Sequence, residues 1–284
     1  MKKKLSRNQT FLLITIPVLL LFFCFNTLPL IKGFMYSFTN FKGFGSYDIV
    51  GLRNYIDLFT DARVGKSYLF TFKFAILATI ITNIIALILA LGLNSKIKAK
   101  STLRGIYFVP RILGGLVVGY IFGYIFTYIL PAVTSTSSML SSTNTAWIAI
   151  VIVASWQAIA QTTLIYISGL QTVPEDVYEA GAIDGATGWK SFKSLTLPLI
   201  IPFLSINMVL SMKDFLMVFD QIMALTKGGP AQSTESISYL IYNNGIGGGQ
   251  FGFQSANAVI FFVVIVAISV FQLNFMGKKE EQLY

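Results

Sequence analysis

Histidine is absent from the 284 residues, and cysteine occurs once, at Cys24. Without imidazoles or a second thiol, zinc sites built on His and Cys, His-based acid–base catalysis and intrachain disulfides are all excluded. Charge is scarce too: Asp, Glu, Lys and Arg make up 12% of the chain, against roughly 25% in an average soluble domain. With only 12 acids in total, a membrane-embedded enzyme lacks an obvious catalytic set.

What is present instead is hydrocarbon, 55% of the residues. Apolar runs of a length that crosses a bilayer lie at 11–31, 69–94, 105–130, 146–170, 198–218 and 253–276. The expected fold is therefore all-α, a single polytopic membrane domain over 1–284 with six transmembrane helices. Lys2, Lys3, Lys4 and Arg7 precede the first run, and Lys96, Lys98, Lys100 and Arg104 separate the second from the third. Lys190 and Lys193 precede the fifth, and Lys278 and Lys279 follow the last. With alternating spans these four regions share one side, which predicts both termini in the cytoplasm. The first outer loop competes with Lys32, Lys42, Arg53, Arg63 and Lys66, but it is longer and also holds Asp48, Asp57 and Asp61. The net charge of +9 follows from this pattern and does not signal nucleic acid. No small-x-small cleavage site closes the first apolar run, so it is expected to remain as a helix.

Polar residues inside the runs are informative because unpaired amides and carboxylates in hydrocarbon cost several kcal/mol each, as a rough estimate. Gln157 and Gln161 lie one helical turn apart, and Asn207, Ser211 and Asp214 follow the i, i+4, i+7 spacing of one face. Two readings stand: interhelical hydrogen bonds, or a polar path for a hydroxylated solute. The aromatic residues beside them, Trp156, Tyr166, Phe215 and Phe219, favour the path when the two stripes are taken together. In the third run Gly115, Gly119 and Gly123 recur every fourth residue, which suits close helix packing within the bundle or a subunit contact. Arg111 and Lys73 are expected to reach toward the inner and outer surfaces respectively. An amphipathic helix is expected in GLRNYIDLFTD, from Leu52, Tyr55, Ile56 and Phe59; it either caps the bundle or docks an external partner.

The segment 171–197 carries charge between two apolar runs. Thr172 and Glu175 have capping-box spacing, predicting a helix from near Val173. Asp184-Gly185 predicts a turn, and Trp189, Phe192 and Leu195 predict a second helix. GATGWKS is not a phosphate-binding loop, since Trp189 separates Gly188 from Lys190 and no strand precedes it.

This segment resembles the EAA loop of the membrane subunits of binding-protein-dependent ABC importers. Glu179, Ala180, Asp184, Gly185, Ala186, Leu197 and Pro198 match; Gly181 replaces the second Ala, and Leu195 stands where Ile is usual. VFDQIMALTKGGPAQSTES, 218–236, resembles the signature of the sugar-permease branch, the maltose, glycerol 3-phosphate and multiple-sugar type, with Lys227 where Gly is common. GLRNYIDLF resembles that branch's first outer loop. The resemblance implies a permease that binds no cofactor itself and pairs with a second, homologous permease. Two ATPase subunits, which bind ATP and Mg, and an external sugar-binding protein complete the importer. It implies that the segment with Glu179, Ala180, Gly181, Asp184, Gly185 and Ala186 couples to the ATPase. There Glu179 pairs with a basic residue and Gly185 supplies the turn. It also puts sugar contacts on the fourth and fifth helices, where the candidates are Gln157, Gln161, Asn207, Ser211, Asp214 and Phe215. The alternative is an ion-coupled secondary transporter, which would be expected to show internal repeats and embedded ionisable groups; only Lys213 and Asp214, near a span end, offer such groups.

Overall fold

The computed structural model describes residues 7–95 and 100–281. Lys2, Lys3, Lys4, Lys96 and Lys98 of the orientation pattern lie outside the described residues. The helices in chain order are α1 (Phe11–Tyr36), α2 (Arg53–Thr60), α3 (Ala62–Asn94), α4 (Lys100–Ile112), α5 (Gly115–Thr134) and α6 (Thr143–Leu170). They continue as α7 (Glu175–Ile183), α8 (Gly188–Leu199), α9 (Ile201–Leu216), α10 (Asp220–Leu225), α11 (Ile237–Tyr242) and α12 (Phe251–Glu281). α1, α3, α5, α6 and α12 are long and apolar enough to cross a membrane, and α8 with α9 adds a sixth if that bent pair is one span.

Prolines shape these helices in two ways. Each Leu-Pro pair, Leu28-Pro29, Leu130-Pro131 and Leu197-Pro198, is preceded by one wide turn: Phe23–Thr27, Ile125–Ile129 and Phe192–Thr196. In each, the leucine N–H reaches back five residues, to Phe23, Ile125 or Phe192. The widened turn makes room for the proline ring, which otherwise clashes with the carbonyl four residues back. The chain therefore stays helical across all three. At Ile200 it does not, and α8 and α9 meet at 71°. Pro202 has no N–H to offer the Pro198 carbonyl, so one rung of the ladder is missing across Ile200, although Ile200 itself donates to Thr196 at 3.1 Å and accepts from Leu204 at 3.0 Å. The run read from 105 to 130 is also divided, since Gly114 is extended between α4 and α5. Pro110 removes one hydrogen bond just before the break, and the tandem Gly114-Gly115 has little helical preference with which to bridge it.

The chain forms two compact units, Met1–Asp61 with Ile241–Phe261, and Ala62–Leu240 with Phe262–Tyr284. In the first, the apolar window of α1 buries none of its residues, as suits a lipid-facing helix. The amide of Asn54 on α2 donates to the Ser37 and Thr39 carbonyls at 2.8 and 2.9 Å, fixing α2 on the end of α1. Leu52, Ile56 and Phe59 of the expected amphipathic face remain exposed. The rings of Tyr36, Phe41 and Phe251 cluster, and Gly252 donates its N–H to the Phe41 carbonyl at 2.7 Å. A Cβ at Gly252 would run into the Thr39 carbonyl, so only glycine lets the backbone of residues 39–41 and the start of α12 approach so closely.

The second unit is built on α3, α6 and α9. Ala86, Ala90 and Leu93 of α3 meet Tyr166, Ile167 and Leu170 of α6 and Ile200 at the bend. Alanines recurring along one face of α3 allow α6 to lie close against it. Between the helices runs a hydrogen-bonded chain: Tyr166 Oη donates to Asn83 Oδ1 at 2.7 Å, and Asn83 Nδ2 donates to Ser211 Oγ at 3.3 Å. The glycine stripe of α5 serves packing within the chain. A Cβ on Gly119 would stand 2.5 Å from Ala224 Cβ, and one on Gly115 would stand 2.6 Å from Asp220 Oδ2, so α10 occupies the face that these glycines clear.

Candidate functional site

The polar residues singled out on α6 and α9 come together on two adjoining clefts. The larger, about 480 Å³, is lined by Gln157, Asp214 and Phe215, together with Arg111, Asp220 and Gln221. The smaller is a narrow extension that shares Arg111, Ala158 and Asp214 and adds Gln161, Asn207 and Ser211. Arg111 reaches the site because α4 ends at Ile112, so its side chain is carried by a separate helix and not inside a span. Lys73 lies elsewhere, its ammonium 4.5 Å from the centroid of the Trp147 ring.

The six residues differ in how their groups are used. Gln157 is buried; its Nε2 donates to the Leu113 carbonyl at 3.3 Å, and its Oε1 accepts from Gln221 Nε2 at 2.7 Å. Asn207 donates to the Thr162 carbonyl at 3.1 Å and Ser211 accepts from Asn83, so both also bond between helices. Phe215 is buried, its ring edge-on to Phe74 with centroids 6.0 Å apart. Gln161 is half-buried and makes no side-chain hydrogen bond among the described residues. Asp214 is exposed and pairs with Lys213 at 3.2 Å. The site thus offers one uncommitted amide, an amide pair that can exchange partners, and charges of both signs from Arg111, Lys213, Asp214 and Asp220. Such a lining suits a solute rich in hydroxyls, which both donate and accept hydrogen bonds.

Arg111 was visible in the sequence as a charge in an apolar run, but its convergence with α6 and α9 was not. Asp220 and Gln221 were missed as site residues because they follow α9 after a turn, outside any apolar run. Asn83 was also passed over, a lone amide in the long apolar stretch of α3.

The charged segment 171–197 folds as a helical hairpin. Its start differs from expectation: Pro174, not Thr172, is the residue before α7, and no side chain caps the helix. The Thr172 hydroxyl donates to the Gly169 carbonyl at 2.7 Å, so the end of α6 has claimed it. The turn is as expected. Gly185 has φ +72, its N–H donates to the Ala182 carbonyl, and Ala186 N–H donates to the Gly181 carbonyl at 2.8 Å. This is the paired bonding of a helix ended by a left-handed residue, a conformation glycine adopts without strain. Glu179, Ala180, Asp184 and Gly185 are exposed, Ala186 is half-buried and Gly181 is buried. Ile183 and Trp189 are also exposed, leaving the tip of the hairpin unpartnered within the described residues.

The two departures from the EAA pattern touch each other. A Cβ on Gly181 would collide with Leu195 Cδ1, so the Cδ1 methyl of Leu195 fills the space left by the missing methyl of residue 181. Gly181→Ala alone should therefore gain little, since the helix-propensity advantage of about 0.5–1 kcal/mol is offset by displacing Leu195. In a Leu195→Val background the same change should show its full gain. Thermal melting of the two singles and the double in detergent checks this; strictly additive shifts would mean that the residues do not compensate.

Residues 82–278 match the family model described as the binding-protein-dependent transport system inner membrane component. The chain is 39% identical, over 95% of both sequences, to the multiple sugar-binding transport system permease protein MsmF of Streptococcus mutans serotype c. It is 34% identical, over 92% of both, to the trehalose/maltose transport system permease protein MalF of Thermococcus litoralis. Among solved structures, a chain of a bacterial ABC transporter involved in import of the acidic polysaccharide alginate has a TM-score of 0.83 at 19% identity, covering 96% of each chain. A second structure of the alginate transporter, in complex with alginate pentasaccharide-bound periplasmic protein, has a TM-score of 0.80. At that identity the structural likeness speaks for the fold.

Proposed function

We propose, from the premise that this chain belongs to the family of binding-protein-dependent transport system inner membrane components, that its cargo is a sugar or short oligosaccharide. The chain is a permease subunit of an ABC importer, a multi-pass protein of the bacterial cell membrane. The observation that carries the sugar reading is the convergence of Gln157, Gln161, Asn207, Ser211, Asp214 and Phe215, from two helices, on adjoining polar clefts. The names of the relatives, which include multiple-sugar and trehalose/maltose permeases, support the same class.

The chain pairs with a second, homologous permease, and solute passes between the two. Both termini and the hairpin 171–197 face the cytoplasm, where one of two ATPase subunits receives α7. An external sugar-binding protein delivers the cargo from the other side. ATP and its Mg stay with the ATPases, and the exposed Glu179 offers a carboxylate to a basic residue there. ATP-driven closure of the ATPases then biases a membrane domain with two access states. The ion-coupled alternative is not favoured: Lys213 and Asp214 neutralise each other, and both are half exposed near the end of α9.

Purification of the tagged chain with its partners, followed by ATPase assays with the binding protein and a panel of sugars, tests the proposal. One sugar class should stimulate hydrolysis, and Gln161→Ala with Asp214→Asn should weaken that stimulation by about tenfold, the loss of about 1.4 kcal/mol of hydrogen bonding. Unchanged stimulation in the double variant would remove both residues from the path. Recovery of the chain alone, still active in transport, would reopen ion coupling.

A further inference from the structure

A cleft of about 370 Å³ lies where the N-terminal parts of α3 and α6 meet the 231–235 segment, and it shares no lining residue with the two clefts of the transport path. Its charge is uneven. Arg63 is committed to Glu235, with Nε and Nη2 donating to the two carboxylate oxygens at 2.8 and 2.7 Å. Lys66 and Lys73 also line it, and among the described residues no carboxylate pairs with either. On its wall the hydroxyls of Ser67 and Ser233 are buried without a hydrogen-bond partner. Ser67 is only 2% exposed, so its unmet donor is not served by bulk water. Two ammonium groups with no carboxylate partner among the described residues, beside unused hydroxyls and the Asn144 amide, form a lining for an anion with several acceptor oxygens.

The surroundings say what carries that anion. Leu69, Lys73, Ile76, Ile80 and Ile84 follow i, i+4, i+7, i+11, i+15 spacing and so share one face of α3. Leu69 lines the cleft, and the three isoleucines beyond it are 45–55% exposed. A hydrocarbon track thus leads out of the cationic cleft along a helix that crosses the membrane. Lys73 rests on the ring of Trp147, and tryptophan is enriched at the headgroup level of bilayers. A free anion would use the cleft and leave the track bare. An acidic protein segment would not need the track at all.

We propose that this cleft binds the phosphate of an anionic phospholipid, with Lys66 and Lys73 as its cationic contacts and an acyl chain lying along Leu69, Ile76 and Ile80. The lipid then bridges α3, α6 and the 231–235 segment at one membrane surface. This goes beyond the transport reading and is measured without transport.

The chain, purified with its partner subunits and stripped of lipid, is titrated with phosphatidylglycerol, phosphatidylcholine or inorganic phosphate, and bound lipid is read by native mass spectrometry alongside melting temperature. Phosphatidylglycerol should be held about tenfold more tightly than phosphatidylcholine, as two basic contacts at a membrane surface warrant. Lys66→Gln with Lys73→Gln should abolish that preference, and Lys66→Arg with Lys73→Arg should keep it. Equal retention of the two lipids by the unmodified protein overturns the proposal, even if the glutamine variant fails to fold. So does a preference that survives the glutamine substitutions. Stabilisation by inorganic phosphate equal to that by phosphatidylglycerol also overturns it, because the hydrocarbon track would then play no part. Cross-linking of Lys66 to a partner subunit, with no lipid retained, assigns the cleft to protein docking and overturns it likewise.

Discussion

Glu179→Lys should abolish uptake while leaving the chain folded and at normal abundance in the membrane. Glu179 is an exposed residue in the middle of α7, and among the described residues no cation pairs with it. Lysine is a good helix former, so the helix has no cause to melt. The consequence falls on docking. In the proposed docking, exchanging a carboxylate for an ammonium opposite a basic ATPase residue turns attraction into repulsion, and a like-charge contact across an interface costs several kcal/mol. At about 1.4 kcal/mol per factor of ten, that lowers docking by about 100-fold or more. Glu179→Gln should act in the same direction but less, since it removes the attraction without adding repulsion. Uptake of labelled sugar in cells, with the amount of chain followed by immunoblot, separates the two. Normal uptake by the lysine variant would refute the docking role. Restoration by an acidic residue at the facing ATPase position would identify the pair.

The hairpin that presents Glu179 was legible in the sequence because its turn is local chemistry. Asp184-Gly185 specifies a left-handed helix end wherever the preceding helix comes from. The start of α7 was less legible because Thr172 has two possible clients, the N–H groups ahead of it and the α6 carbonyls behind it, and sequence spacing does not say which one is nearer. Gly181 and Leu195 were each visible as departures from a pattern. That they compensate for each other appears only when α7 and α8 are folded together.

The spans show the same division. Hydropathy reports how much chain can sit in hydrocarbon, and the runs it marks fall within the long helices α1, α3, α6 and α12. It does not report direction. Pro29, Pro131 and Pro198 look like Pro202 in sequence, yet the first three are carried through by a wide turn and the last lies at a 71° bend. The difference is that Pro198 and Pro202 stand four apart, so the second removes the bond to the first. Site residues on α6 and α9 stood out as polar groups in apolar surroundings. Asp220 and Gln221 lie just beyond the end of the run that holds α9, where a polar pair reads as a span boundary; only the packing of α10 against α5 brings them to the cleft.

Glu235→Ala should cause one of the largest losses of stability open to a single substitution in the second unit. Its carboxylate is 3% exposed and receives both donors of the Arg63 fork. The pair ties the segment after α10 to the start of α3, and its neighbours continue the stitching. Ser236 Oγ donates to the Val218 carbonyl at 2.9 Å, and Ile237 N–H donates to Thr71 Oγ1 at 3.0 Å. Removing the buried member of such a pair costs about 3–5 kcal/mol. Arg63 is 35% exposed, so water compensates part of its charge, and the loss should fall near the lower end, about 3 kcal/mol. The double change Arg63→Leu with Glu235→Leu should be less damaging than Glu235→Ala, because replacing both members of a buried pair by apolar groups avoids burying a charge without its closest counter-charge. Melting of the detergent-solubilised chain, followed by tryptophan fluorescence, measures all three. A Glu235→Ala protein that melts with the unmodified one would mean that the ion pair is replaceable by water and that the hydroxyl bonds of Ser236 and Thr71 alone hold the segment in place.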